Sequence, residues 1–546
     1  MQAPRVLMVY PRFGSHSFWS YQASCAFVGA KYPTAPLGLI TVAAMLPPAW
    51  EVRLVNRNTE ELAEDDFAWA DMVMTGGMMV QQPDTLRIIE MCRARGTPVV
   101  VGGPDATSSP HVYKAAHFQV LGEAEGILDK FIEAWNADVR EGVFVAEPYK
   151  ADVTTTPIPR FDLLKFDQYL YIGLQYSRGC PFTCEFCDII ELYGRSPRTK
   201  THAQMLSELE RLYDLGYRGH VDFVDDNLIG NKKAVKAFLP HLVAWVKEKS
   251  YPFEFSTEAS INLSDDDELL SLLSRANFFL VFVGLETPNT DALVAMRKKQ
   301  NTRRSLVDSV HKIYAHGIFV TAGFIVGFDT EKNRVAEEMI AFIQDSAVPI
   351  SLVSLLTALP NTQLTRRLAK EGRLHSGHEL MPDGLNDTCG QGLNFDTLRP
   401  QRDVLRDYVD IVRDVLDPEA YCDRIRRLVG LLDYSQRPDA AMRSNRRYNI
   451  AGIEMVKKLI DQMPEHGHLF WRTFVHCLKI NPRAVQTVVK LMVLYLHLGP
   501  FARSMTLQME QWIAEMERGS RYLSPQERYA ARVVVQKRPS VEPRVR

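Results

Sequence analysis

A chain of 546 residues should hold about three or four domains, and with 46% hydrophobic and 24% charged residues its cores need no disulfides. Sixty-four basic and 66 acidic residues leave a formal net charge of −2, so there is no global basic field and no expectation of a nucleic-acid partner. Eight cysteines, only three of them clustered, point to a reducing compartment. Met1 to Arg5 runs into an apolar strand without the parts of a signal peptide. No stretch reaches the ~18–20 apolar residues of a bilayer span, so the expectation is a cytoplasmic protein with no transmembrane segment.

The first 146 residues alternate strand and helix. Arg5–Tyr10, Glu51–Val55, Asp71–Thr75, Thr97–Val101 and His117–Leu121 read as short apolar strands. Pro36–Leu46 and Asp84–Arg95 read as helices, the second stopped by Gly96. This βαβ rhythm predicts a doubly wound, Rossmann-like parallel sheet. Glycines gather just past the strands, at Gly76, Gly77, Gly102, Gly103 and Gly122, with Glu123 beside the last. Ligands of open α/β sheets bind beyond the carboxyl ends of the strands, where glycine lets backbone approach a large flat molecule; plain turn chemistry is the alternative at any one of them. Residues 147–165, rich in Pro, Thr and charge, read as a linker.

Residues 166–370 repeat the rhythm six times. Strands are predicted at Leu170–Tyr176, His220–Val224, Phe253–Thr257, Phe279–Val283, Ile318–Val326 and Ile350–Thr357, with helices between them. Six βα units are too few for a closed eight-stranded barrel and fit a partial one. From 371 to 546 strand signals fade. Gln401–Val415 is an amphipathic helix, and further helices are predicted at Ile453–Gln462, Ala484–Leu498 and Thr506–Glu517, giving a mainly helical C-terminal domain.

After the first barrel strand comes Arg178-Gly179-Cys180-Pro181-Phe182-Thr183-Cys184-Glu185-Phe186-Cys187. Three thiolates spaced C-x-x-x-C-x-x-C on one loop can ligate three irons of a [4Fe-4S] cube and leave the fourth open, whereas an electron carrier wants four cysteines. A zinc knot is the alternative, with His202 or Cys389 as fourth ligand, but neither belongs to a paired zinc motif. The spacing resembles the signature of the radical S-adenosylmethionine (SAM) superfamily. That resemblance implies Cys180, Cys184 and Cys187 as cluster ligands, SAM on the open iron and Phe186 against the adenine. It implies SAM contacts from the other strand ends: Asp225, Asp226 and Asn227, then Glu258, then Glu286. Gly323, Ile325 and Gly327 match the G-x-I-x-G pattern that backs the adenine. Each carboxylate or amide has a plainer reading as a turn cap or solvated residue. Arg195, Arg198 and Lys200 read equally as SAM- or substrate-carboxylate partners and as solvated loop, and Tyr176 as a core tyrosine rather than a hydrogen donor.

An α/β domain before such a core resembles the cobalamin-dependent subfamily. The strand-end motifs Pro36-Leu37-Gly38-Leu39, Gly102-Gly103-Pro104 and Gly122-Glu123 support this, and Tyr176–Lys200 and the helical tail resemble the group containing hopanoid methylases. Cobalamin is then implied, with Gly76, Gly102, Gly103, Gly122 and Glu123 facing it. The D-x-H-x-x-G motif is missing; His16 lacks the preceding aspartate, so no histidine–cobalt bond is expected. The implied activity is methylation of an unactivated carbon by way of a 5′-deoxyadenosyl radical and methylcobalamin, on a small molecule or lipid. A reducing donor such as flavodoxin or ferredoxin would supply electrons. The alternatives are a cobalamin-linked rearrangement or cyclisation enzyme and a non-catalytic iron–sulfur sensor or scaffold. A tRNA methylthiolating enzyme needs a second cysteine triplet, which Cys25 and Cys92 cannot make. The apolar run Val488–Leu498, followed by Arg503, reads as a buried bundle helix, with a peripheral membrane edge as the alternative.

Overall fold

The computed structural model describes residues 3–14, 17–382, 389–390, 392–438 and 445–528. Its first sheet contains β1 (Arg5–Tyr10), β3 (Glu51–Asn56), β4 (Met72–Gly76), β5 (Val99–Gly102), β6 (Phe118–Leu121) and β7 (Gly142–Val145), all parallel, in the order β3-β1-β4-β5-β6-β7. Alternate residues feed different cores. Val6, Met8, Met72 and Met74 pack on one face, and Leu7, Val9, Val73 and Val99 on the other. Helices therefore cover both faces, which is why these strands read as continuous apolar runs.

The second sheet is the partial barrel. It holds β8 (Tyr169–Leu174), β11 (Gly219–Phe223), β12 (Phe253–Glu258), β13 (Phe278–Glu286), β14 (Phe319–Val326) and β15 (Ile350–Leu355), matching the six predicted strands. A seventh strand, β2 (Tyr32–Thr34), comes from the N-terminal segment and pairs parallel with β8, Tyr32 opposite Tyr169 and Thr34 opposite Tyr171. An open barrel leaves an unpaired edge, and this borrowed strand covers it. Three residues around Pro33 carry too little pattern to be read as a strand. The residue 146 boundary is therefore crossed in space: part of the N-terminal region belongs to the barrel sheet. The linker is packed rather than loose, with Ala151, Val153, Phe161 and Leu164 buried.

The two sheets face each other at their strand ends. The short strands β9 (Ser177–Arg178) and β10 (Arg198–Thr199) pair antiparallel at the base of the cysteine loop. Arg178 Nη1 and Nη2 donate to Glu125 at 2.9 and 2.7 Å, and Arg198 pairs with Glu123 at 2.8 Å. Gln82 Nε2 donates to the Glu379 carbonyl at 3.1 Å and Gln82 Oε1 accepts from the Met381 amide at 2.8 Å. These ties hold the Gly122–Glu125 turn beside the strands that flank the cysteine loop.

In the C-terminal part, Gln401–Val415 is helical over the predicted span. The helices predicted at 484–498 and 506–517 are one, Val485–Glu517, running through Pro500. Proline costs a helix one hydrogen bond, and here the burial of Val488, Leu491, Met492, Tyr495, Met505 and Met509 outweighs it. Residues 482–517 are long and apolar enough to cross a bilayer, yet 78% of the most apolar window is buried inside the fold. That agrees with a bundle helix.

Candidate active site

The cysteine loop is held from several sides. Gly179, at φ +95°, lets the chain turn out of β9, and a Cβ there would lie 3.0 Å from the Gly194 carbonyl oxygen. The Cys180 amide donates to Gly194 O at 3.2 Å. Asp225, just past β11, accepts from the Tyr176 amide at 3.1 Å, the Ser177 hydroxyl at 2.5 Å and the Ser177 amide. Asp226 accepts from the Gly179 amide at 2.7 Å. Burial raises both carboxyls, Asp225 to about 7 and Asp226 to about 6, against the pull of these donors. The two aspartates expected to meet SAM thus anchor the backbone leading into the loop. Within the loop, Glu185 accepts a fork from Arg367 at 2.7 and 3.1 Å, and its backbone bonds Met296 and Leu364.

Cys184 is buried, and Cys180 and Cys187 are half-buried. Burial pushes the Cys180 and Cys187 thiols up, so coordination to iron is what would deprotonate them. Two side-chain amides point at the sulfurs: Asn227 Nδ2 lies 3.9 Å from Cys180 Sγ, and Gln300 Nε2 3.7 Å from Cys184 Sγ. Donors of this kind tune cluster potentials. The chemistry of the set, three thiols on one loop with amide donors beside them, fits a [4Fe-4S] cube.

Phe186 and Ile325 enter the same apolar cluster with Phe328 and Leu356, beside the loop. A Cβ on Gly323 would lie 3.2 Å from the Phe282 ring, and Gly327 has φ +110°. Glu286, expected to bind SAM, is buried in an ion pair with Lys298 at 2.5 Å. It sits at φ +67°, unusual for glutamate, where β13 slips register against β14. A Cβ on Gly284 would fall 2.3 Å from Glu286 Oε1 and 2.7 Å from Lys298 Nζ, so a larger residue there would have to displace this pair. Lys298 Nζ also lies 5.8 Å from the Phe186 ring centroid.

The glycine crest lines up at the ends of β4, β5 and β6. A Cβ on Gly76 would strike Gly102 O at 2.4 Å, one on Gly102 would meet Val120 O at 2.9 Å, and one on Gly122 would meet Ala146 Cβ at 2.9 Å; Gly103 has φ +88°. The crest is thus kept bare by strand-to-strand contact, and its lack of side chains fits the approach of a large flat cofactor. Glu123 gives its carboxylate to Arg178 (3.3 Å) and Arg198 (2.8 Å), a clamp between domains. Lys200 is likewise spent, paired at 2.5 Å with buried Glu208, and Tyr176 stacks on Phe238 at 4.9 Å as a core residue. His16 lies outside the described residues.

Inside the barrel a cavity of about 490 Å³ runs along the concave face of the sheet. Helix Val485–Glu517, with Val489, Val493 and Leu494, and the aromatic segment Phe18–Tyr21 close its side. Glu258, the remaining expected SAM contact, turns into this cavity, and its Oε2 is buried without a hydrogen-bond partner.

Lys298, Gln300 and Arg178 were not singled out from the sequence. Lys298 and Gln300 carry no local motif, because their role comes only from the fold. Glu331 was readable: it lies four residues beyond Gly327, accepts from that amide at 3.0 Å and is buried.

Residues 24–132 match the B12 binding domain, 174–343 the Radical SAM superfamily and 362–511 a domain of unknown function (DUF4070). The chain belongs to the radical SAM methyltransferases that carry a B12-binding domain. Within that class it is 36% identical over 511 residues to the hopanoid C-2 methylase of Rhodopseudomonas palustris, covering 91% of this chain and 94% of that protein. It is 46% identical over 422 residues to an uncharacterized methyltransferase of Synechocystis, covering 77% of each. Its fold is similar to that of the cobalamin-dependent S-adenosylmethionine radical enzyme OxsB, with a TM-score of 0.58 at 14% identity over 98% of this chain and 84% of that one. Its cofactors are accordingly a [4Fe-4S] cluster, SAM and cobalamin, and its reaction requires a reductant.

Proposed function

We propose that this enzyme methylates an unactivated carbon of a lipid with a bulky apolar body. The apolar cavity inside the barrel carries this reading. Its volume of about 490 Å³ lies within the range of small-molecule sites, and aromatic and aliphatic side chains make most of its wall. The hopanoid methylase relative supports a polycyclic substrate. A substrate drawn from a bilayer would place the protein at the membrane edge, and a small reduced carrier such as flavodoxin or ferredoxin would serve as electron donor.

When bound, the cluster with SAM supplies a hydrogen-abstracting radical and cobalamin supplies the methyl group. The chain's own residues position and shield. Cys180, Cys184 and Cys187 would each hold one iron, with Asn227 and Gln300 donating toward the sulfurs. Asp225 and Asp226 fix the loop's entry; Phe186 and Ile325 would give the adenine an apolar seat, with Gly323 and Gly327 beside it, and the crest at Gly76, Gly102, Gly103 and Gly122 would receive cobalamin. Helix Val485–Glu517 closes one side of the barrel cavity and would help keep water from a substrate bound there.

The test is anaerobic incubation of the reconstituted enzyme with reductant, methyl-deuterated SAM and a panel of polycyclic lipids. A labelled methyl group on a ring carbon, together with 5′-deoxyadenosine, is the expected result. Cys184→Ala should abolish both. Deoxyadenosine formation with no lipid in the panel labelled would overturn the substrate reading.

A further inference from the structure

The cavity is not uniformly apolar. Its β13, β14, β15 and helical sides present Leu280, Phe282, Phe319, Leu352 and Val489, whereas its β11–β12 side is polar from end to end. There His220 and Asp222 alternate inward from β11, and Glu254, Ser256 and Glu258 from β12, the period of two expected for one face of a sheet. Ser256 Oγ donates to Asp222 Oδ1 and lies 2.5 Å from His220 Nε2. Glu254 is paired with Lys490 of the long helix. Glu258 Oε2, higher on the same wall, has no hydrogen-bond partner.

A hydrocarbon substrate gives no reason for this wall. Burying carboxyl groups beside apolar surface is costly unless something pairs with them, and an unsatisfied buried oxygen calls for an explanation. Glu254 and Asp222 already have partners, so Glu258 is the acid for which a bound ligand would supply the missing donor. Burial also raises the Asp222 carboxyl to about 6 and Glu258 well above the ordinary range, with Asp222 adding to the latter, which shows how poorly this wall is solvated without a ligand.

We propose that the substrate is a hydroxylated amphiphile, its rigid apolar body against β13–β15 and the long helix, and its hydroxyl group hydrogen-bonded to Glu258 and the Asp222–Ser256 pair. Glu258 is then a specificity-determining residue. This rests on the lipid reading above and names the functional group that the lipid must carry.

The experiment is equilibrium binding to the cofactor-loaded full-length enzyme of two probes in the same detergent: a pentacyclic triterpene alcohol and the corresponding triterpene hydrocarbon. The alcohol should bind at least about tenfold more tightly, since a site built to hydrogen-bond a hydroxyl rejects the analogue lacking it. Glu258→Met should erase that preference and leave hydrocarbon binding intact or stronger. Glu258→Gln and Asp222→Asn, which keep shape and polarity, guard against misfolding and should each reduce the ratio. Equal binding of both probes by the wild type, or an unchanged ratio in Glu258→Met, overturns the inference and leaves the lipid reading standing. If neither probe binds, the lipid reading itself falls.

Discussion

Two buried charges near the cysteine loop show how single residues are committed. Lys298 and Glu286 are almost out of solvent, with side chains 11% and 7% exposed. Removing one partner strands the other, so Lys298→Met should cost about 3–5 kcal/mol in denaturant unfolding, and Lys298→Met/Glu286→Gln should recover much of it. Additive losses in the double variant would show that the pair is not coupled. Glu331 is 2% exposed, and burial lifts its carboxyl from 4.5 to about 7, despite the Gly327 amide. The folded state therefore holds this proton more tightly than the unfolded chain. Its contribution is fully present below about 4.5 and is lost as pH rises through about 7. Glu331→Gln should flatten the stability–pH curve across that window, by an amount on the order of 3 kcal/mol. An unchanged curve would place the titration elsewhere.

At the scale of elements, the loop that carries the cysteines depends on its neighbours. The β9–β10 pair is only two residues long on each side, and Arg178 within it is gripped by Glu123 and Glu125 from the other domain. Burial works against ionisation of Glu125, but the Arg178 hydrogen bonds and charge overcome it and hold the carboxyl at about 2. Arg178→Gln leaves Glu125 buried without its cation and Glu123 with Arg198 alone. It should destabilise the enzyme by about 3–5 kcal/mol and lower the iron and sulfide retained per chain after reconstitution. Full iron retention would mean that the clamp does not support the loop. Little of this was visible in the order of residues: Cys180, Cys184 and Cys187 announce themselves by spacing, while Glu123 reads as a strand-end ligand contact until Arg178 and Arg198 are seen beside it. Asp225 and Asp226 were placed correctly at a strand end, yet which donors face them depends on where β8 and β9 lie.

Across the whole molecule, the N-terminal sheet and the barrel are joined by more than a linker. Strand β2 lies in the barrel sheet, Asn361 Nδ2 donates to the Ser108 carbonyl at 2.8 Å, and Gln82 bonds Glu379 and Met381. Pulling the domains apart would break a sheet edge and expose the buried clamp. Calorimetry should therefore record one unfolding transition, moved upward by cobalamin, which binds only the folded state. Two well-separated transitions would show that the domains unfold independently.

The amino-acid order by itself determined the things that repeat or sit close together: the βα rhythm of both sheets, the glycines after the strands and the cysteine triplet. Periodicity and short spacings are local, so they survive without a fold. Only the tertiary structure decided which strand closes the barrel edge, which acids are spent on arginines and lysines, and that one wall of an apolar cavity is acidic. Tyr32 and Tyr169, Glu123 and Arg198, Glu286 and Lys298, and Asp222 and Ser256 meet across chain separations that no local pattern encodes. Their pairing is set by how sheets and helices pack, and what the site can bind follows from that packing.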